Sequence, residues 1–331
     1  MKTIREQCTE LAKQREETQQ AWKSGMFSSM IDSLFEQYRE QQNQDRFLPP
    51  DVAERLKKIR ERIPSGVRPI VDMRAAPFYK ILKEKYDEQQ QIKLMKYMTR
   101  VQDKAAQKML DDESFAANFL EKDEFSAVVL SLDIRRSTEL MLKAETPQVY
   151  AEFINNLTAE LTDAVKSRFG IYDKFTGDGL LAFFPDFYSG SQAILYALQC
   201  ADDCHEIFNA IFPSYRSRFD IGDMQTGLGI GIDAGRVFKA GIELEYTVVG
   251  KPVVYACRLS SAPAGHTYLT GLAEKALRDT ECDAFITKKT EIEIKHEGLS
   301  PAFDVMPVTN HAVESMQVKE PSWCGGNEQH V

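Results

Sequence analysis

The chain has 331 residues, enough to bury a sizeable core in one large or two small domains. Charged residues make up 27% and hydrophobic residues 43%, with a formal net charge of -9, so the long-range field opposes nonspecific binding to nucleic acid or an anionic membrane. No stretch approaches the roughly 20 apolar residues that span a bilayer. The N-terminus lacks the apolar run of a signal peptide, and six cysteines are scattered without a dense framework; together these predict a cytoplasmic protein with reduced thiols.

Residues 1–122 are rich in Gln, Glu, Lys and Arg and poor in glycine, which predicts a mostly helical N-terminal region. Ile70, Val71, Phe78, Ile81, Leu82 and Tyr86 suggest an amphipathic segment. A helix-like stretch follows from Ile92 to Leu120. Its apolar positions Met95, Met98, Val101, Ala105 and Met109 recur at three- and four-residue steps. They can pair with a second copy or lie on their own domain.

At Phe125 the texture changes. Residues Phe125 to Leu132 form a short apolar run, long enough for one buried strand. A helix is predicted from Pro147 to Arg168. Two strand-like runs, 170–175 and 180–184, flank Thr176-Gly177-Asp178-Gly179 and read as a β-hairpin. Helix returns from Ser189 to Phe212, and Cys200, Cys204 and His205 there read as a packed helix face. Strands are predicted at 226–232 and 246–250, then helix to Ser261, then strands at 267–270 and 291–294. Helices packed against a sheet follow from this alternation. The polar tail after Thr309 is predicted to be loosely ordered.

Two aspartates carry the chemistry. Asp133 ends the buried strand, and the chain then turns through Arg135 and Arg136 into a helix start at Ser137-Thr138-Glu139. A helix N-terminus offers unpaired backbone N–H groups for phosphate. Asp178 sits at the hairpin tip between two glycines. Two carboxylates converging on the same ions suit Mg²⁺ or Mn²⁺, which favour oxygen ligands and substrate phosphates. Each aspartate alone is also an ordinary turn residue.

Four blocks taken in order resemble the class III adenylyl and guanylyl cyclases. Leu130 to Thr138 resembles their first metal motif and Lys174 to Phe184 their second. Gly227 to Gly235 is similar to the strand before their base-binding hairpin, and Tyr246 to Leu259 to their transition-state motif. The resemblance implies an α+β fold with a βαββαβ ferredoxin-like core on a mainly antiparallel sheet, spanning 123–308, with a tail at 309–331. It implies two divalent metal ions, Mn²⁺ or Mg²⁺, held by Asp133, Asp178 and the Ile134 carbonyl. Amides of Arg135, Arg136, Ser137 and Thr138 would hold the β- and γ-phosphates. Lys174 and Thr247 would read the base, Arg258 would stabilise charge on the α-phosphate, and Lys295 would bind phosphate.

The resemblance further implies a homodimer that shares its sites, with 92–120 as a natural dimerising helix. Two positions depart from the pattern: Arg136 replaces a usual glycine, and Val254 a usual asparagine. Lys174 argues against a guanylyl cyclase. The phrasing of the 133–138 and 249–258 blocks is similar to the pyrimidine cyclases of bacterial Pycsar antiphage systems. That implies UTP as substrate and cyclic UMP as product, read by a separate cyclic-nucleotide-binding effector, with CTP or ATP as alternatives.

Overall fold

The computed structural model describes residues 82, 84–241, 247–294 and 298–325, together with 54, 55, 57 and 58. Most of the expected amphipathic segment (Ile70, Val71, Phe78, Ile81) and Lys295 lie outside the described residues.

The stretch expected as one helix from Ile92 to Leu120 is three: α1 (Glu88–Met98), α2 (Asp103–Asp111) and α3 (Glu113–Leu120). Asp87 and Gln90 form a reciprocal capping box at the start of α1. Asp112 explains the second break. Its carboxylate accepts from the Phe115 N–H at 3.0 Å and from Ser114 Oγ at 2.6 Å, which holds its backbone extended. Such local bonds compete with helix continuation. Met95, Met98, Val101, Ala105 and Met109 are all buried within this one chain.

Next in the chain come β1 (Glu124–Ile134), α4 (Ser137–Leu142), α5 (Pro147–Ser167), β2 (Ile171–Phe175), β3 (Gly179–Pro185), α6 (Asp186–Ser189), α7 (Ala193–Tyr215) and β4 (Leu228–Ala240). They are followed by β5 (Thr247–Val249), α8 (Lys251–Leu259), β6 (His266–Leu269), α9 (Gly271–Arg278), β7 (Phe285–Ile294), β8 (Gly298–Pro307) and α10 (Asn310–Ser315). The eight-stranded sheet runs β2-β3-β1-β4-β6-β8-β7, with β5 paired to β4. Only the β4–β6 pairing is parallel. The fold is therefore α+β. Its first four large strands follow βαββαβ order, with β1 central between β3 and β4.

The two faces of the sheet carry different helices. Residues paired across a ladder point the same way. Asp133, Ser131 and Ala127 of β1 therefore share a face with Gly229, Gly231 and Gly235 of β4. A Cβ on Gly231 would lie 2.2 Å from the Ala256 carbonyl oxygen, and one on Gly229 would lie 2.4 Å from that of Ser260. So α8 rests on this face at backbone contact, through positions only glycine can occupy. The long helices α5 and α7 pack on the sheet and on each other around Phe153, whose ring meets those of Phe208, Phe212 and Tyr215. Arg168 at the end of α5 bonds the Asp203 carboxylate of α7 at 2.6 and 3.1 Å, and both are buried. In α7, Cys200 and Cys204 are buried, and the His205 Nε2 lies 2.9 Å from Thr267 Oγ1.

Within residues 309–325, the described part, the tail carries regular structure where loose order was expected. It forms α10 and a turn at Ser322–Cys324. The Trp323 ring stacks on Tyr188 at 5.4 Å, and its Nε1 donates to the Tyr188 carbonyl at 2.6 Å. The half-buried indole finds its ring partner and its hydrogen-bond acceptor through tertiary packing, which the polar composition around it does not show.

Candidate active site

Asp133 lies near the C-terminal end of β1, opposite Gly179 at the start of β3. The turn between β2 and β3 is closed by the Thr176 N–H on the Gly179 carbonyl at 2.8 Å, and Gly177 takes φ 91°, which favours glycine. A Cβ on Gly179 would stand 2.5 Å from the Leu132 carbonyl oxygen, so the hairpin lies directly on β1. The Ile134 N–H donates to the Asp178 carbonyl at 3.1 Å. The two aspartates are thus neighbours across adjoining strands.

Their electrostatics show the proximity. Burial and the like charge of Asp178 push the Asp133 carboxyl up to about 6. Arg135 opposes this with an ion pair at 3.0 Å. Ser137 Oγ donates to the Asp178 carboxylate. Tyr150, on the first turns of α5, also feels the pair: burial and then Asp178 and Asp133 raise its phenol above the ordinary value. Nothing in the sequence singles out Tyr150, because its proximity arises from packing. Among the described residues, no group of three or more His, Cys, Asp or Glu stands together to hold a metal. The donor set is two carboxylates whose mutual repulsion a hard cation would relieve, which fits Mg²⁺ or Mn²⁺.

The turn after β1 departs from four available amides. The Arg135 N–H already donates to the Gly227 carbonyl at 2.8 Å, and Thr226 Oγ1 donates to the Arg135 carbonyl at 2.7 Å. Arg136, Ser137 and Thr138 occupy the start of α4, where helix geometry leaves N–H groups without intrahelical partners. Arg136 takes φ 63°, ψ 30°. The left-handed conformation accounts for the glycine usual at this position in the class III pattern. The Arg136 side chain turns outward to Glu139 at 2.7 Å. Both arginines of the loop therefore pair with acids.

A second cluster lies on β2 and β5. Lys174 is exposed on β2 and Thr247 is half-buried on β5. The residue that joins them, Asp173, was missed by the sequence reading. Thr247 Oγ1 donates to its carboxylate, and Arg100 Nη1 lies 3.6 Å from it. The only signal was an aspartate within a short strand, Ile171 to Phe175.

Arg258 is in the last turn of α8 with its guanidinium over the Tyr255 ring at 5.6 Å. Val254, one turn earlier, is 46% exposed, while Ala256 and Leu259 are buried against the sheet. The helix face bearing Val254 and Arg258 therefore points away from the core. The structure brings together Asp133, Arg135, Ser137 and Asp178, and separately Lys174 and Thr247.

No family model matches the chain. A curated adenylate cyclase of Anabaena cylindrica is 24% identical over 193 residues, covering 54% of this chain and 36% of that protein. Its similarity adds to four ordered blocks whose two acidic motifs the fold sets side by side. In these blocks the chain is similar to the class III nucleotidyl cyclases.

An uncharacterised protein of Mycobacterium tuberculosis (strain H37Rv) is 30% identical over 152 residues, covering 44% of this chain and 25% of that protein. The chain therefore spans only about a third and a quarter of the lengths of these two relatives. Among solved structures, the adenylyl cyclase CyaB from P. aeruginosa matches with TM-score 0.49 and 21% identity, covering 56% of this chain and 96% of that one. The guanylyl cyclase Cya2 matches with TM-score 0.49 and 22% identity, covering 57% and 95%. Among the described residues, no helix is long and apolar enough to cross a membrane.

Proposed function

We propose that this chain is a nucleotidyl cyclase that converts UTP to 3′,5′-cyclic UMP and diphosphate, working as a homodimer. The observation that carries the cyclase reading is the proximity of Asp133, near the end of β1, to Asp178, in the β2–β3 turn, beside the turn into α4. Asp133, Asp178 and the Ile134 carbonyl would hold two divalent ions, Mn²⁺ or Mg²⁺. When bound, the ions would acidify the attacking hydroxyl and take up charge on the leaving diphosphate.

The chain's own groups supply the rest. Amides of Arg136 to Thr138 cradle the β- and γ-phosphates at the start of α4. Arg135 gives up Asp133 as its partner and faces the triphosphate, and Lys295 adds a phosphate contact. Lys174 and Thr247 orient the base. The ribose 3′-hydroxyl gives its proton to solvent water, and its oxygen forms a bond to the α-phosphorus. The bond from that phosphorus to the β-phosphate oxygen breaks, and diphosphate departs. Arg258 of the partner subunit meets the charge on the α-phosphate. The outward face of α8 suits delivery across a two-fold interface.

The preference for UTP rests on the similarity of the 133–138 and 249–258 blocks to pyrimidine cyclases of antiphage systems. In that setting the product is a second messenger for a separate cyclic-nucleotide-binding effector. A second reading, ATP to cyclic AMP, draws on the curated Anabaena relative. CTP to cyclic CMP shares the pyrimidine argument.

The test incubates the protein with each of the four nucleoside triphosphates and Mn²⁺, with and without lysate of phage-infected cells. Cyclic products are identified by mass spectrometry. Cyclic UMP as the main product supports the proposal; cyclic AMP alone overturns the pyrimidine preference; no cyclic product overturns the cyclase. Asp133→Ala and Arg258→Ala should each cost about 10²-fold or more in turnover. Mixing the two variants should restore activity through one intact site per heterodimer. Failure to complement counts against a shared site.

A further inference from the structure

Asp173 occupies an unusual place. The register between β2 and β3 shifts between Tyr172 and Lys174, so Asp173 is the extra residue of a bulge. Bulges re-aim side chains. Here the bulge leaves Lys174 exposed and Asp173 only 2% exposed.

A carboxylate this buried needs partners. One oxygen, Oδ2, accepts the Thr247 hydroxyl proton, and the other, Oδ1, lies 3.6 Å from the Arg100 guanidinium. Burial pushes the Asp173 carboxyl up, and Thr247, Arg100 and Lys174 in turn hold it down. Arg100 belongs to the turn between α1 and α2, and its carbonyl accepts the Tyr172 N–H at 3.1 Å. The upstream helices are thus attached to β2 by main chain at Tyr172, just before the bulge, and by side chain at Asp173, the bulge residue itself.

The consequence is one of hydrogen-bond polarity. A threonine hydroxyl has one proton to give and two lone pairs. Once the proton is committed to Asp173, only the lone pairs remain for a ligand. A lysine ammonium, conversely, only donates. We infer that Asp173 is a positioning residue for base selection: it takes the Thr247 hydroxyl proton, Arg100 balances its charge, and Thr247 meets the base as an acceptor beside the Lys174 donor. This rests on the assignment of Lys174 and Thr247 to the base. The edge so recognised carries an N–H beside an acceptor. That is a ring N–H beside a carbonyl in uracil (N3–H) or guanine (N1–H), or an exocyclic amine beside a ring nitrogen in cytosine or adenine.

Asp173→Asn tests the polarity directly. Arg100 has only donors, so the asparagine carbonyl turns to it and the amide NH₂ is left to donate to Thr247. The hydroxyl proton is then released toward the base, and the pair becomes two donors.

The experiment measures two quantities on the full chain for all four bases. One is cyclic product formation with Mn²⁺. The other is equilibrium binding of 3′-deoxynucleoside triphosphates, which lack the attacking hydroxyl. The Asp173→Asn protein should compress the ratio of best to worst base at least tenfold in binding. Thr247→Val should do the same, and the double variant should add nothing, because Asp173 acts through the hydroxyl. An equal loss on all four bases, or effects of the two substitutions that multiply, overturns the inference. If a circular dichroism melt shows that Asp173→Asn does not fold, Thr247→Val decides: an unchanged ranking overturns the inference.

The cyclase reading fails separately. Base-ranked binding that shifts as described, without any cyclic product, sinks the cyclase and keeps the role of Asp173. Cyclic product with an unshifted ranking does the reverse. Absence of binding to any of the four by the unaltered protein removes both.

Discussion

Gly231→Ala should loosen the helix that carries Arg258. Gly231 faces α8 from β4, and a methyl there would stand 2.2 Å from the Ala256 carbonyl oxygen, 2.5 Å from the Ser260 nitrogen and 2.6 Å from Leu259 Cβ. Two of these three atoms are backbone, so no rotamer change relieves the clash. The helix must back away by about 1 Å or more to restore ordinary contact. Overpacking of this kind costs ~1–3 kcal/mol, and more where backbone has to move. At about 2–4 °C per kcal/mol for a domain of this size, the melting temperature should fall by roughly 3–10 °C. Turnover should fall further than stability, since Arg258 lies between the displaced Ala256 and Ser260. The control is Gly271→Ala, at the first position of α9, where the nearest atom to a new Cβ is Phe303 Cε2 at 4.0 Å. That variant should be neutral or gain about 0.5 kcal/mol. Thermal melts of the two proteins side by side make the measurement. A Gly231→Ala protein that melts with the unaltered one would refute the claim that α8 is seated at backbone contact.

Asp133→Asn should abolish the proposed cyclase turnover yet raise the melting temperature without added cation. The folded-state carboxyl is raised to about 6 from its ordinary 3.8. Its contribution to stability is therefore fully present below about pH 4 and lost as pH rises through 6. With the side chain 32% exposed, solvent screening leaves about 1–2 kcal/mol gained by the amide at pH 7.5. The gain should vanish near pH 4. Mn²⁺ should raise the melting temperature of the unaltered protein and not of this variant; equal shifts in both would remove Asp133 from the metal site. Arg168→Met strands the buried Asp203 carboxylate and should cost about 3–5 kcal/mol, read by urea denaturation. Trp323→Ala should cost about 2–3 kcal/mol through loss of the Tyr188 stack and the Nε1 hydrogen bond. An unchanged urea midpoint in the Trp323 variant would mean that the tail does not brace the domain.

The parts of the fold written locally were legible in advance. The apolar run 125–132 is the heart of β1, and the glycine-flanked Asp178 tips the β2–β3 hairpin as its pattern required. The helix from Pro147 ends within one residue of the expected place. Each rests on period, capping or glycine chemistry, which act over a few residues. Elements whose signal is distant were not legible. The strand β8 (Gly298–Pro307) has mixed polarity and exists through pairing with β6 and β7. The helix α9, opened by Gly271, was also passed over. Asp112 split an apparently continuous helix because its side chain bonded its own backbone neighbourhood.

The same division runs through the site. Asp133, Asp178, Lys174 and Thr247 were visible as residue types in order along the chain. What they touch was decided elsewhere. A left-handed turn at Arg136 directs its side chain to Glu139, and Gly227 takes up the Arg135 amide. A bulge turns Asp173 inward to Thr247, with an arginine seventy-three residues upstream as its counter-ion. The sequence by itself determined the two acidic positions, because strand ends and glycine turns are local. Only the tertiary structure decided their partners, because burial and charge act across strands that the chain brings together only on folding.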